Sequence, residues 1–184
     1  MRNILLLIML SVSLILNGQN NFTSSKEASD KINEIINTGL KIETDTIYSD
    51  SINKFEILLK GGSYLNKTSN QIHVLMENPR DLSYLVVYVP YDPSVFSLAL
   101  HWTKLFKKQN RTFKLINLQN ESNDSVILEK VRFKVTKYGH RLEGEFWAYD
   151  TGEFFYILHV FAIRGKWDEN INTIDEIFKS FRYL

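Results

Sequence analysis

Val126-Ile-Leu-Glu-Lys-Val-Arg-Phe-Lys-Val-Thr-Lys137, Arg141-Leu-Glu-Gly-Glu-Phe-Trp-Ala-Tyr149 and Phe154-Phe-Tyr-Ile-Leu-His-Val-Phe-Ala-Ile-Arg164 follow one another closely in the chain. Each run alternates apolar and polar residues or is apolar on both sides, which is the period of a β-strand. Gly139-His140 and Thr151-Gly152 separate them and have the residue types of tight hairpin turns. As two-residue loops these turns predict three long antiparallel strands, near 126–137, 141–149 and 154–164. They set Phe133 opposite Phe146, Val131 opposite Ala148, Phe146 opposite Ile157 and Ala148 opposite Phe155. That face is apolar or small throughout, apart from His159 opposite Gly144 and Lys137 at the strand end. A one-residue slip would turn it to solvent.

The other face carries Arg132, Lys134 and Thr136, then Glu143, Glu145, Trp147 and Tyr149, then Phe154, Tyr156, Leu158, Val160 and Ala162. Glu143 and Glu145 stand two apart on one strand, about 7 Å at the backbone, a spacing that a glycosidase carboxylate pair could use. The register offers a plainer role: Lys134 falls opposite Glu145 as an ion pair, and Arg132 opposite Trp147 as a cation–π contact. Trp147, Tyr149, Phe154 and Tyr156, with Arg132 and Glu145, form the candidate ligand-binding surface near the second turn. Aromatic rings flanked by a few polar groups suit a small molecule, glycan or peptide. If the last helix lies across them, they are core instead.

Working outward, Trp167-Asp168 leads into a C-terminal helix with Ile171, Ile174, Ile177, Phe178 and Phe181 inward. Upstream, Asp92-Pro93 suits a helix start, and Val95, Leu98, Ala99, Trp102, Leu105 and Phe106 make one apolar stripe. Phe55–Leu59, Gln71–Glu77, Tyr84–Val89 and Thr112–Leu118 read as strands, with residues 41–51 irregular and Gln119–Ser125 a polar loop. Tyr84–Val89 is apolar on both faces and belongs mid-sheet. Ser24 and Glu27 have capping-box spacing before Ala28, Ile32, Ile35 and Ile36, which predicts a helix near 25–38. The expectation is one α+β domain over 25–184, an antiparallel sheet of about six strands sandwiched between helices.

Residues 1–18 have the layout of a secretory signal peptide: Arg2, an uncharged run from Ile4 to Leu16, then Asn17-Gly18-Gln19 as a cleavage point. The run gives about 20 Å of helix, short of the roughly 30 Å hydrocarbon core, so no stable membrane span is expected in the mature chain. Residues 19–24 read as a tether. The expectation is export into the periplasm or medium of a bacterium, with an uncleaved N-terminal anchor as the alternative, the chain's wealth of Asn, Lys and Ile fitting a low-GC genome.

Composition excludes several classes. The chain of 184 residues has no cysteine, which removes thiol nucleophiles, zinc–thiolate sites and an acylated N-terminal cysteine. Beyond Arg2 the chain balances 21 basic against 21 acidic residues, giving no electrostatic footprint for nucleic acid. His73, His101, His140 and His159 form no metal-ligand spacing, and no phosphate-binding glycine loop or Gly-x-Ser-x-Gly is present. No metal site, cofactor or assembled nucleophile–base pair is therefore expected.

Tyr156-Ile-Leu-His-Val-Phe-Ala-Ile163, a short acidic bridge and Ile174-Asp-Glu-Ile-Phe-Lys-Ser-Phe181 together are similar to the ending of PsbP-like proteins, the lumenal extrinsic subunits of photosystem II and their bacterial periplasmic relatives. The order of central helix, strand, meander and final helix over about 55–183 also resembles that fold. The resemblance implies a binding or assembly module and supplies no functional residue. The first expectation is thus a non-enzymatic exported accessory or binding domain that contacts a protein or envelope component. The alternative is a small envelope hydrolase or carbohydrate-active protein using Glu143 or Glu145 beside the aromatic platform. An immunity or inhibitor protein docking through its exposed strand and loop 119–125 is a third.

Overall fold

The computed structural model describes residues 37–67, 71–76, 82–92, 94–95, 97–110, 112–122, 126–137, 140–163 and 165–184. The leader, the tether and all but the last two residues of the expected first helix lie outside them; Asn37 and Thr38 are helical.

Among the described residues eleven strands, two complete α-helices and a short 3-10 turn at Asp168–Asn170 build three layers. Eight strands form one antiparallel sheet in the order β1-β4-β5-β6-β10-β9-β8-β7: β1 Leu40–Ile42, β4 Ser63–Lys67, β5 Gln71–Met76, β6 Leu82–Pro90, β7 Lys114–Ser122, β8 Ile127–Lys137, β9 His140–Asp150 and β10 Phe154–Ile163. β2 Thr46–Asp50, β3 Phe55–Leu59 and β11 Arg182–Tyr183 form a second sheet, β11-β3-β2. The large sheet consists of β1, added to the edge of β4, and two meanders, β4-β5-β6 and β7-β8-β9-β10, joined along one seam where β6 pairs with β10 from Leu82↔Ala162 to Pro90↔Phe154. Apolar residues on both faces of β6 fit this central place: Leu85 and Val87 enter one core, Tyr84, Val86 and Tyr88 the other.

Helix α1, Leu98–Gln109, covers one face through Leu98, Ala99, Trp102 and Phe106 and packs on β8 and β9. Helix α2, Ile171–Ser180, and the small sheet cover the other, with Ile174, Ile177, Phe178, Phe55 and Ile57 buried against Tyr156, Leu158 and Val160. Tyrosine hydroxyls stitch the two sheets together. Tyr84 donates to the Leu58 carbonyl at 2.9 Å and Tyr156 to the Asn53 carbonyl at 2.9 Å, so each ring is buried while its polar tip is satisfied.

The large sheet therefore has eight strands where about six were expected, and helices do not flank it symmetrically. β1, β2 and β4 are short and partly exposed, with too few apolar positions to show a period of two. The β2–β3 turn is organised by Asp50, a buried carboxylate that accepts from the Asn53 backbone N–H at 2.9 Å and pairs with Lys67 at 2.7 Å. Burial alone would raise its pKa; the Lys67 and Asn53 bonds outweigh that and hold it at about 2.

Two further boundaries and the burial of one residue differ from expectation. α1 starts at Leu98, not after Pro93, because Ser97 caps it through the Leu100 N–H at 3.2 Å while Asp92 turns the chain through the Ser94 N–H at 2.9 Å. β7 runs on through Gln119–Ser122, since β8 supplies partners as far as Ser122↔Ile127. Ile171 is exposed at the start of α2, where only Ile174, Ile177 and Phe178 reach the core.

Both hairpins close one residue away from the expected position. Lys137 pairs with His140, and Thr151 closes on Phe154 by an N–H···O bond of 3.2 Å around Gly152, whose φ of +74° is the left-handed region glycine adopts without strain. Each shift moves the partners by two residues, which preserves the faces but changes every pairing. Phe133 lies opposite Gly144 instead of Phe146, Val131 opposite Phe146, Ala148 opposite Ile157, and His159 opposite Phe146.

Candidate functional site

α2 and the small sheet cover only part of their side of the large sheet. On β7, β8 and β9 a strip of Lys114, Asn117, Gln119, Lys130, Arg132, Lys134, Glu143 and Glu145 lies beyond α2, its β7 members exposed and its β8 members half-buried. Alternation places them there: the intervening Val131, Phe133, Val135, Phe146 and Ala148 fill the core under α1.

Within the strip most charges answer one another. Glu143 lies between two bases, Lys134 at 3.3 Å and Arg132 at 3.6 Å, and the Arg132 guanidinium lies over the Trp167 ring at 4.8 Å. Lys130 sits 4.3 Å above the Trp147 ring and pairs with Glu121 at 2.7 Å. These pairings replace the expected Lys134–Glu145 and Arg132–Trp147 contacts, as the two-residue shift requires. Glu145 instead accepts from Trp147 Nε1 at 2.7 Å. Partial burial pushes its carboxyl pKa up, while that hydrogen bond and the charges of Arg132 and Lys130 pull it down and Asp175 of α2 adds to the rise. Arg132 Nε and Trp167 Nε1 are buried donors without an acceptor among the described residues.

The four aromatic candidates divide between core and rim. Tyr149 and Tyr156 are buried, meeting Phe181 at 4.7 and 5.6 Å between ring centroids. Trp147 stacks on Phe178 of α2 at 4.5 Å and 16°, and Phe154, half-buried, meets Tyr156 at 6.0 Å. α2 thus lies across the platform, leaving the edges of Trp147 and Phe154 accessible beside Glu145 and Lys54, whose Nζ is 5.8 Å from the Phe154 ring. The structure brings Arg132, Glu145 and Trp147 together; Phe154 lies at the far end near Lys54 and Glu153.

Sequence reasoning missed Lys130 and Trp167 because their roles depend on the register and on the loop that returns from β10. It also missed Glu129. This buried carboxylate on the α1 face of β8 accepts from the Ala99 N–H at 2.9 Å and the Ser97 hydroxyl at 2.6 Å, capping α1 from below. Its polar interruption of an otherwise apolar face was the available signal. Among the described residues no group of three His, Asp or Glu side chains is arranged to hold a metal, and no helix is long and apolar enough to cross a membrane.

This architecture is PsbP-like, the fold that the C-terminal third of the sequence resembles. Cyanobacterial PsbP (CyanoP) from Synechocystis sp. PCC 6803 superposes with a TM-score of 0.65 at 14% identity, over 79% of this chain and 96% of that one. LpqN of Mycobacterium tuberculosis, described as involved in cell envelope biogenesis, superposes at 0.52 and 10% identity, over 75% and 89%. PA94 of Pseudomonas aeruginosa, a protein of unknown function, does so at 0.50 and 11% identity, over 74% and 95%. No family model matches the sequence, and comparison with curated proteins finds no significant match.

Proposed function

We propose that this chain is an exported, non-enzymatic accessory domain that acts by surface contact with a protein or other envelope component through the open β7–β9 strip. The observation that carries this reading is the mutual neutralisation of the strip: Glu143 is held by two bases, and Lys130 is shared between Glu121 and Trp147. Ionic groups so engaged position a surface and are poorly placed to move protons. The PsbP-like fold supports the reading by analogy, since LpqN, which shares it, is described as acting in envelope biogenesis.

Two measurements test it. In an expressing bacterium the chain should appear in the periplasmic or secreted fraction with Gln19 as its first residue; a cytoplasmic chain that keeps Met1 would refute export. With the chain as bait on its host's envelope fraction, the Asn117→Ala/Gln119→Ala variant, changed at two exposed strip positions, should lose its partner while keeping its thermal transition. Equal capture by that variant would remove the strip from the function.

One observation favours the carbohydrate-active alternative: the carboxyl of Glu145 is pushed up by burial, as suits a general acid. Glu145→Gln keeps an acceptor for Trp147 and separates the readings. If the chain cleaves envelope glycans and this change abolishes cleavage, the catalytic reading replaces the first.

A further inference from the structure

We infer that β7 is a self-pairing edge, through which two copies of this chain join antiparallel and continue the large sheet across a two-fold axis. The inference goes beyond the function proposed above: it concerns the outer edge of β7 and shares with the strip only the side chain of Lys114 at the strand's end.

The two edges of the large sheet are built differently. β1 is three residues long and carries Lys41 at its centre, paired with Glu43, a short and charged edge of the kind that resists strand addition. β7 is nine residues long, about 30 Å of backbone, and no described strand pairs with its outer side. Between Lys114 and Glu121 it carries neither charge nor proline. Three large apolar side chains there remain exposed, Leu115 at 51%, Ile116 at 47% and Leu118 at 41%. An edge with these features is a template for another strand.

Charge and register select a second copy as that strand. Lys114 lies directly opposite Lys134 on β8, and Lys134 is already paired with Glu143, so Lys114 has no acid partner among the described residues. The only acid of β7 is at its other end, Glu121, whose carboxylate pairs with Lys130 at 2.7 Å and, 57% exposed, stays open to a second base. Antiparallel self-pairing brings Glu121 of the second copy to Lys114, twice over by symmetry. The bulge at Ile116 makes this register consistent with the faces of the sheet. It shifts the alternation by one residue, so that Lys114 and Glu121 share one face and Leu115 and Asn120 share the other. With Lys114 against Glu121 of the second copy, Leu115 then meets Asn120 of the second copy on a common face.

Sedimentation velocity on the purified chain tests the pairing. Wild type should shift from monomer to dimer with rising micromolar concentration. Lys114→Glu and Glu121→Lys should each weaken the dimer about tenfold by setting like charges together, and the double variant should restore it to within about twofold of wild type. Because the chain has no cysteine, Leu118→Cys near the two-fold axis supplies a second readout: oxidation should link it into a dimer, whereas Leu40→Cys on β1 should stay monomeric. A monomer at every concentration, a charge-swapped double variant no better than the singles, or equal cross-linking from both edges would each overturn the inference. So would a β7 that accepts only strands of another protein.

Discussion

His159 and His73 hold imidazoles where the fold offers them little polar company. His159 is fully enclosed, with Phe106, Phe133, Phe146 and Phe161 within 5.5 Å between ring centroids, and neither nitrogen has a partner among the described residues. Burial holds its pKa well below the ordinary value and lowers that of His73 to about 4. Both are neutral in the folded protein, so the unfolded chain binds more protons as pH drops below about 6.5. Stability is therefore full above that pH and falls toward pH 4, by about 3 kcal/mol for His73 alone. Chemical denaturation at pH 7.5, 6.0 and 5.0 should show this slope, and His159→Leu should flatten it; a midpoint independent of pH would contradict the burial of both rings. Gly144 gives a sharper local prediction. A methyl group there would stand 2.4 Å from Cζ of Phe133, the residue opposite, so Gly144→Ala should cost about 1–3 kcal/mol in a urea titration. The sequence shows His159 as a lone polar residue on an apolar face. It does not show the Phe133 ring stacked on Gly144, because that contact exists only in the true register.

At the scale of elements, the β8–β10 meander was readable because β8 and β9 alternate over eleven residues each and β10 is apolar on both faces over ten, runs long enough for a strand to stand out. Its turns were misplaced by one residue, since Gly139-His140 and Thr151-Gly152 have loop chemistry wherever the closing pair falls. Faces survived that error and partners did not, so the acidic and aromatic residues of the strip were found while Lys130 was overlooked. α1 was found by its stripe, but its true start was hidden. Part of its cap is Glu129, thirty residues downstream, and no local signal marks a helix end satisfied from another strand. Removing that cap has a measurable cost. Glu129→Ala should lower stability by about 1–3 kcal/mol and speed hydrogen exchange at the Ala99 amide, whereas Glu129→Gln should cost less. Unchanged exchange at Ala99 would mean that the first turn of α1 does not depend on this carboxylate.

For the whole molecule, the class of fold was legible, while the extra strands of the large sheet and the small sheet that shares a layer with α2 were not. A three-residue β1, a two-residue β11 and the polar Ser63–Lys67 acquire meaning only beside strands distant in sequence, such as β3, which pairs with β11 across more than a hundred residues. The seam between β6 and β10 has the largest consequence at this scale. Each meander is continuous in sequence, and α1 and its packing partners β8 and β9 all lie after residue 97. The chain is in effect two polypeptides that share one backbone. If a protease site placed between Asp92 and Ser94 is cut after folding, the halves should stay together through size-exclusion chromatography. Unfolded and mixed at micromolar concentration, they should recover the parent circular dichroism spectrum, and either half alone should not. A protein built this way can be divided at one place and rebuilt by its own complementarity, which would let each half report on the nearness of whatever it is fused to.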